Sequence, residues 1–388
     1  MPTYEISFYK DFTCRAGRCE ETCCRGWKVS VDDEALKKYK SLHSVTGLRI
    51  RLALLGRKDG CFDTSYRACP FFNKEDLCGI QLKYGEDYIP EICRTYPRLN
   101  RNYGFMQEKW LDLSCIEAAE LFLSKGSGFC MTAIEAEEAY ESEYSNDDRD
   151  FLRELIKSRQ EVVRYLDESL FSKKEDLDRA FQALLSFSLA AEQGSIKNDY
   201  SYFQKKTADF YRGDGGKILF PFPMELFKEM ICVNGFYHRS LFRQLPFLNK
   251  ILQLFLSEFK DIGTSEGQEK WERLYNSYLE MDAQGEDIAK GPCPNGQGIL
   301  RELVNYYSYS VWTDYLRSFE DYSFSKWLLR GMLAVNFFFL FSALLWQEQG
   351  DILRHEKAHV MSVLERRMHH NPTQEKKLME SLRKHVRK

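Results

Sequence analysis

Four cysteines fall within eleven residues near the start of the chain, Cys14, Cys19, Cys23 and Cys24, and four more follow at Cys69, Cys78, Cys93 and Cys115. These eight of the twelve cysteines, all in the first third of 388 residues, constrain the fold more than any other feature. Thiols used as small core residues would scatter. Bunched thiols bridge one another, run redox chemistry or bind a soft metal, and each use requires separate loops to meet at one point. Cys23 and Cys24 are adjacent, and the small ring of a disulfide between neighbours strains the peptide, so the two serve different partners. Cys61, Cys130, Cys232 and Cys293 stand alone and read as ordinary residues.

The first residues, Met1-Pro-Thr-Tyr-Glu-Ile-Ser7, carry neither the basic start nor the apolar stretch of a secretory signal. The expected location is therefore the reducing cytoplasm, where structural disulfides are uncommon and clustered thiols favour metal or redox use. A formal net charge of -3, with 44% hydrophobic and 29% charged residues, describes a soluble globular chain. It offers no electrostatic argument for nucleic acid or an anionic membrane surface as partner. One strongly apolar run, Gly331 to Trp346, contains Asn336 and follows Arg330. It is shorter than the ~20 apolar residues of a spanning helix and reads as a fully buried core helix, with no membrane insertion.

The expected fold is mainly α, a multi-helix body with a loop-rich, Cys-rich N-terminal metal-binding module. Residues 1–115 are punctuated by Cys, Gly and Pro, whereas helical periodicity sets in at Ile116–Leu123 and continues over 132–144, 149–170 and 176–192. Further helices are expected at 224–234, 239–258, 267–282, 298–319 and 323–348. Gly213 to Gly216 and Phe220-Pro-Phe-Pro223 read as turns, and Gly285 to Gly298 as a linker. The expected division is a Cys-rich module at 1–123, a helical domain at 124–350 and a polar helical tail at 351–388.

The thiol pattern C-x4-C-x3-C-C lacks the paired C-x2-C knuckles of zinc ribbons, and there are more thiols than one tetrahedral site uses. Both points favour an iron–sulfur or catalytic centre; a zinc site that only staples loops is the competing reading. In Cys93-Arg-Thr-Tyr-Pro-Arg98 two guanidinium groups flank a candidate ligand. They suit cluster sulfurs, a carboxylate of cofactor or substrate, or surface pairing with Glu86, Asp87 and Glu91. His355-Glu-Lys-Ala-His359 matches the H-E-x-x-H zinc-protease signature, but the segment reads as a polar surface helix without a clear third ligand. Neither Gly213-Asp-Gly-Gly216 nor Gly296-Gln-Gly298 follows a strand, so neither reads as a nucleotide loop.

Several stretches together resemble bacterial flagellin lysine-N-methylases. They are Phe12-Thr-Cys14, Cys19-Glu-Glu-Thr-Cys-Cys-Arg-Gly-Trp-Lys-Val29, Cys69-Pro-Phe71, Leu77-Cys-Gly-Ile-Gln81 and Ile92-Cys-Arg-Thr-Tyr-Pro-Arg98. Leu113-Ser-Cys-Ile-Glu-Ala-Ala119 continues the likeness, with Ile116 where the family usually has Pro. The likeness covers residues 4–123, with a fainter stretch at Arg366-Arg-Met-His-His-Asn371. Its cysteine elements are also similar to a wider group of small zinc- or iron-chelating proteins.

The resemblance implies an S-adenosylmethionine-dependent protein-lysine N-methyltransferase acting on flagellin, with a 4Fe-4S cluster, or zinc or iron, held by matching cysteines. Cys14, Cys19, Cys23, Cys24, Cys69, Cys78, Cys93 and Cys115 are its candidate ligands, and Arg94, Tyr96 and Arg98 its candidate cofactor-binding residues. No catalytic residue is assigned. The wider group implies instead a non-enzymatic chelating or interaction protein with a structural metal. Methyl transfer to lysine needs the neutral amine, and free lysine has a pKa of ~10.4, so a base or a desolvating pocket is required. Tyr84, Tyr88, Tyr96 and Tyr103 are candidates to line it, with Tyr66 a further one.

Overall fold

The computed structural model describes residues 2–55, 60–64, 67–125, 130–134, 146–169, 171, 174–193, 205, 246–258, 264–283, 298–370, 376 and 380. The expectations at 213–216, 220–234 and 285–297, together with Tyr66, Cys232 and Cys293, lie outside the described residues. Within them the protein is mainly α.

The helical body is built around the apolar run. Helix α12 (Phe324–Gln349) packs against α7 (Lys174–Gln193), α8 (Pro246–Glu258), α9 (Ser265–Ala283), α10 (Ile299–Asp314) and α13 (Arg354–His369). By length and composition this helix would cross a membrane, yet 94% of its apolar window is buried inside the protein. A helix apolar on every side needs protein on every side, and the five neighbours supply it. Glu192 at the end of α7 caps its start, accepting from the Ser325 amide at 2.7 Å and the Ser325 hydroxyl at 2.7 Å. The expected helices at 149–170, 176–192, 267–282 and 298–319 correspond to α6 (Asn146–Glu168), α7, α9, and α10 with the short α11 (Ser318–Asp321).

The N-terminal third contains more regular structure than its loop-rich texture suggests. A four-stranded sheet has the order β4-β5-β1-β6, from β1 (Thr3–Ile6), β4 (Arg98–Asn102), β5 (Gln107–Leu111) and β6 (Met131–Ile134). Strand β1 runs parallel to β5, in register Thr3 to Gln107, and antiparallel to β6. The helix expected over 132–144 is therefore a strand at its start, the rest lying outside the described residues. Four residues pairing with the free edge of β1 satisfy backbone groups that a local helical preference cannot reach. A second ribbon joins β2 (Lys28–Ser30) to β3 (Cys61–Asp63). Between them lie α1 (Asp33–Ser41) and α2 (Val45–Leu54), followed by α3 (Gly79–Tyr84), α4 (Glu91–Thr95) and α5 (Ile116–Ser124).

Two apolar cores result. The larger joins Ile6, Phe8 and Leu111 of the sheet region to α5, α6 and the helical body, as far as Met368. The smaller consists of Trp27, Val29, Val31, Ala35, Tyr39, Ile50, Phe62, Phe71, Ile80 and Ile89, with Cys69, Cys78 and Cys93 packed against it. The four-stranded sheet is tied to the body by a buried ion pair. Glu108 of β5 meets Arg159 of α6, whose guanidinium also donates to the Trp312 carbonyl at 2.9 Å and lies 3.8 Å from the Trp312 ring centroid.

The polar composition of 351–370 suggests a surface helix, and here the structure differs. Ala358 to Met368 of α13 are buried, Glu365, Arg366 and Arg367 each at 2% exposure. Helix α13 packs on α5 and α12. His359, Glu365 and Arg366 are buried with an opposite charge or a carbonyl on another element, which is the condition for burying charge at all.

Candidate functional site

The cysteine loops meet where the small core faces α13. Short backbone bonds fold them together: the Cys69 amide donates to the Cys24 carbonyl at 2.8 Å, and the Gly79 amide to the Phe71 carbonyl at 2.7 Å. Residues Phe72 and Cys78 form an isolated bridge. The Cys93 amide, on α4, donates to the Pro90 carbonyl at 2.9 Å. Trp27 holds the first loop by donating its indole N–H to the Cys23 carbonyl at 2.6 Å. Cys24 acts electrostatically on Cys23, Cys69, Cys78 and Cys93, and Cys93 in turn feels Cys69 and Cys78. A second group joins Cys14, Cys19 and Cys115. By mutual electrostatic influence the eight candidate ligands fall into a set of five and a set of three.

Burial pushes the Cys69 and Cys115 thiols up to about 12 and raises Cys78, Cys93 and Cys19 as well. Cys24 goes the other way, to about 7, because the Cys23 thiol hydrogen-bonds its sulfur and the Thr22 hydroxyl assists; Cys23 rises in consequence. A soft cation among these sulfurs would reverse the penalty, since a coordinating thiol is deprotonated outright. Donor chemistry therefore fits a thiolate-held metal or cluster. As the side chains stand, no group of three or more His, Cys, Asp or Glu among the described residues is spaced to hold a metal ion.

Arg366 joins the two thiol groups. Its guanidinium donates to the carbonyls of Glu21 at 2.9 Å, Thr22 at 3.1 Å and Ser114 at 2.9 Å. It thereby ties the loop of Cys19–Cys24 to the turn before Cys115, and its charge reaches Cys19, Cys23, Cys24 and Cys115. Gly26 makes room for it. At φ +92° a side chain there is strained, and a Cβ would stand 2.9 Å from Arg366 Cδ.

Next to this clamp lies a polar–aromatic cluster. His370 Nε2 is 3.1 Å from Asp112 Oδ2 and 2.9 Å from the Ser114 hydroxyl, which is 2.8 Å from the Tyr96 hydroxyl. The Trp27 ring packs on both His370 (4.8 Å between centroids) and Tyr96 (5.4 Å). Burial would raise Asp112, but His370 beside it holds its carboxyl well below the usual range. Burial drives the Tyr96 phenol upward.

The candidate cofactor residues separate. Tyr96 belongs to this cluster. Arg98 donates to the Phe12 carbonyl at 2.9 Å and lies over the Phe12 ring. Arg94 is exposed; the Asp32 carboxyl, held down chiefly by the Ala35 and Glu91 amides, also feels its charge. Of the tyrosines, Tyr84 and Tyr88 pack on each other at 5.4 Å, and Tyr103 is buried in the larger core against Glu108. The H-E-x-x-H residues do not converge. His359 is 2.8 Å from Glu21 and stacks on Phe247 at 3.8 Å. His355 is 3.1 Å from Glu20, and the Glu356 carboxylate accepts from its own helix start, the Leu353 amide, at 2.9 Å.

Sequence reading missed Glu21, Asp112, Ser114, Arg366 and His370 as parts of one site. The hydrogen bond from Ser114 to His370 spans 256 residues, so no local pattern could pair them. The faint likeness at Arg366–Asn371 was the one available signal.

The chain is similar to three curated Salmonella proteins. Over 128 residues, 31% of this chain, it is 26% identical to the flagellar biosynthetic protein FliU of Salmonella muenchen, covering 76% of that protein. It is likewise 26% identical over 128 residues to the lysine-N-methylases of Salmonella typhimurium strain LT2 and Salmonella choleraesuis strain SC-B67, covering 32% of each. The chain thus spans about a third of the length of those two methylases, and the resemblance carried by the cysteine segments is met by proteins of that name. No family model and no solved structure matches the chain.

Proposed function

We propose that this protein is a cytoplasmic, S-adenosylmethionine-dependent protein-lysine N-methyltransferase acting on flagellin, with an iron–sulfur cluster held by its N-terminal cysteines. One observation carries the reading. The similarity to named lysine-N-methylases goes with Cys24, Cys69, Cys78 and Cys93, four thiols from separate segments that influence one another's ionisation. Cys24, Cys69, Cys78 and Cys93 would hold the cluster, with Arg366 offsetting its negative charge. Held by three of these four thiolates, such a cluster would keep one iron open, which would supply a site for the amino and carboxylate groups of S-adenosylmethionine. The wall of Trp27 and Tyr96 would desolvate an incoming lysine, favouring its neutral amine. His370, held by Asp112 and Ser114 and still 18% exposed, would take the lysine proton.

The test is anaerobic purification followed by iron, sulfide and zinc assay, then incubation with flagellin and S-adenosylmethionine and mass spectrometry of flagellin lysines. Matching iron and sulfide, lost in Cys24→Ser/Cys93→Ser, together with methylated lysines, is the expected result. Colourless, zinc-loaded protein without methylation would replace this reading by the non-enzymatic chelating protein.

A further inference from the structure

Helix α2 has apolar residues on both sides, but the described residues cover only one. Gly47 and Ile50 are buried toward the small core, whereas Val45, Leu48, Leu52 and Leu55 at its end are exposed at 77%, 51%, 58% and 76%. Their spacing of three, four and three residues puts them in one stripe about 80° wide at 100° per residue. Leu82 on α3, 61% exposed, lies next to Lys83, whose amine reaches the Thr46 hydroxyl at 3.0 Å. These five are among seven large hydrophobics exposed in the described residues; the other two, Tyr322 and Leu353, stand singly. Scattered exposed leucines need no explanation, but a contiguous stripe does.

Within α2 the charge flanking the stripe has one sign. Arg49 and Arg51 fall on its two flanks, and α2 contains no acidic residue. The helix is firmly seated: Ser44 caps its start by accepting from the Gly47 amide at 3.1 Å, and Arg51 donates to the Leu42 carbonyl at 2.9 Å. Tyr39 of α1, which feels the charges of Cys93, Cys78 and Cys69, also lends its carbonyl to Arg51. The stripe is thus the outer face of the layer that carries the thiols.

We propose that α2 docks an amphipathic helix of a partner protein, whose apolar stripe is bordered by acidic residues. Leucine spacing of this kind receives a helix laid along it, with anchors at i, i+3 and i+7. The arginine flanks select the partner by charge. A second copy of this chain is disfavoured, because it would set arginine flanks against arginine flanks.

The test uses full-length protein and a fluorescent designed helical peptide with leucine at i, i+3, i+7 and i+10 and glutamate on both flanks, read by anisotropy. The expected result is saturable binding, weakened at least tenfold in Leu48→Glu/Leu52→Glu and at least tenfold when the peptide flanks are lysine. Thermal unfolding of the variant should match the parent protein, since both leucines are exposed. Absence of binding, equal binding of the two peptides, or full binding by the variant would each overturn the proposal. So would a dimer in sedimentation velocity that the double variant abolishes, which assigns the stripe to self-association. Co-sedimentation with phosphatidylglycerol vesicles lost in the variant would overturn it in favour of a lipid surface.

Discussion

Arg366 shows how one buried side chain can organise a site assembled from distant loops. Its planar fork reaches three carbonyls on two segments, an arrangement that a compact ammonium cannot reproduce. Arg366→Ala leaves those carbonyls unpaired and Glu21 with His359 alone, and is expected to cost about 3–5 kcal/mol in urea unfolding. It should also speed reaction of the thiols with a modifying reagent. Arg366→Lys should recover part of the stability and little of the protection. His369 makes a prediction about pH. It lies 3.0 Å from Asp314 and 2.8 Å from Glu365. Burial and the nearby Arg330 would lower its pKa, but the two carboxylates prevail and raise it to about 9. A folded value above the unfolded one, ~6.5, means stability that is complete below about pH 6.5 and lost as pH rises through about 9. Glu365 and Asp314 are shifted below their ordinary values, so their contribution is lost on the acid side instead. Urea midpoints followed from pH 5 to pH 10 should fall across the upper window in the parent protein and stay flat there in His369→Gln.

At the scale of elements, close contact between helices sets the helical body. Gly331 sits where α12 crosses α10, and a Cβ there would stand 2.7 Å from the Ser310 hydroxyl and 3.0 Å from Tyr307 Cε2. Alanine is the better helix former by ~1 kcal/mol, which argues for stabilisation by Gly331→Ala. Overpacking costs typically 1–3 kcal/mol, and the Tyr307 ring is itself fully buried and has nowhere to move. Packing should win. The expected outcome is a lower thermal midpoint, whereas an unchanged or higher one would show that the α10–α12 crossing adjusts freely. The β6 strand teaches the same lesson in reverse: a segment with helical character becomes a strand because the edge of β1 is there to pair with.

For the whole molecule, α13 closes a circle that begins at the first strand. It touches α5, α12 and, through Arg366 and His370, the cysteine loops. A chain ending at Gly350 would expose the faces of α5 and α12 that α13 covers and would leave Arg330 without Glu365 and Asp314 without His369. Such a chain is expected to lose cooperative unfolding altogether, checked by a denaturant titration against the full chain. A truncated protein that still unfolds in one sharp step would mean that α13 is an appendage.

Much of this architecture is legible in the residues. The helices of the body follow from apolar spacing, and the buried fate of Gly331–Trp346 follows from a run apolar on all sides yet short for a bilayer. The crowding of eight thiols in the first third likewise requires loops that meet. Local sequence carries such information because periodicity and composition act over a few turns of chain. What tertiary structure alone decided is which distant groups pair. The strand β5 lies parallel to a β1 a hundred residues earlier. A polar helix is buried because Glu21, Asp112 and Asp314 await its arginine and histidines. Those choices depend on complementary charges and free strand edges that come into being only when the chain is folded.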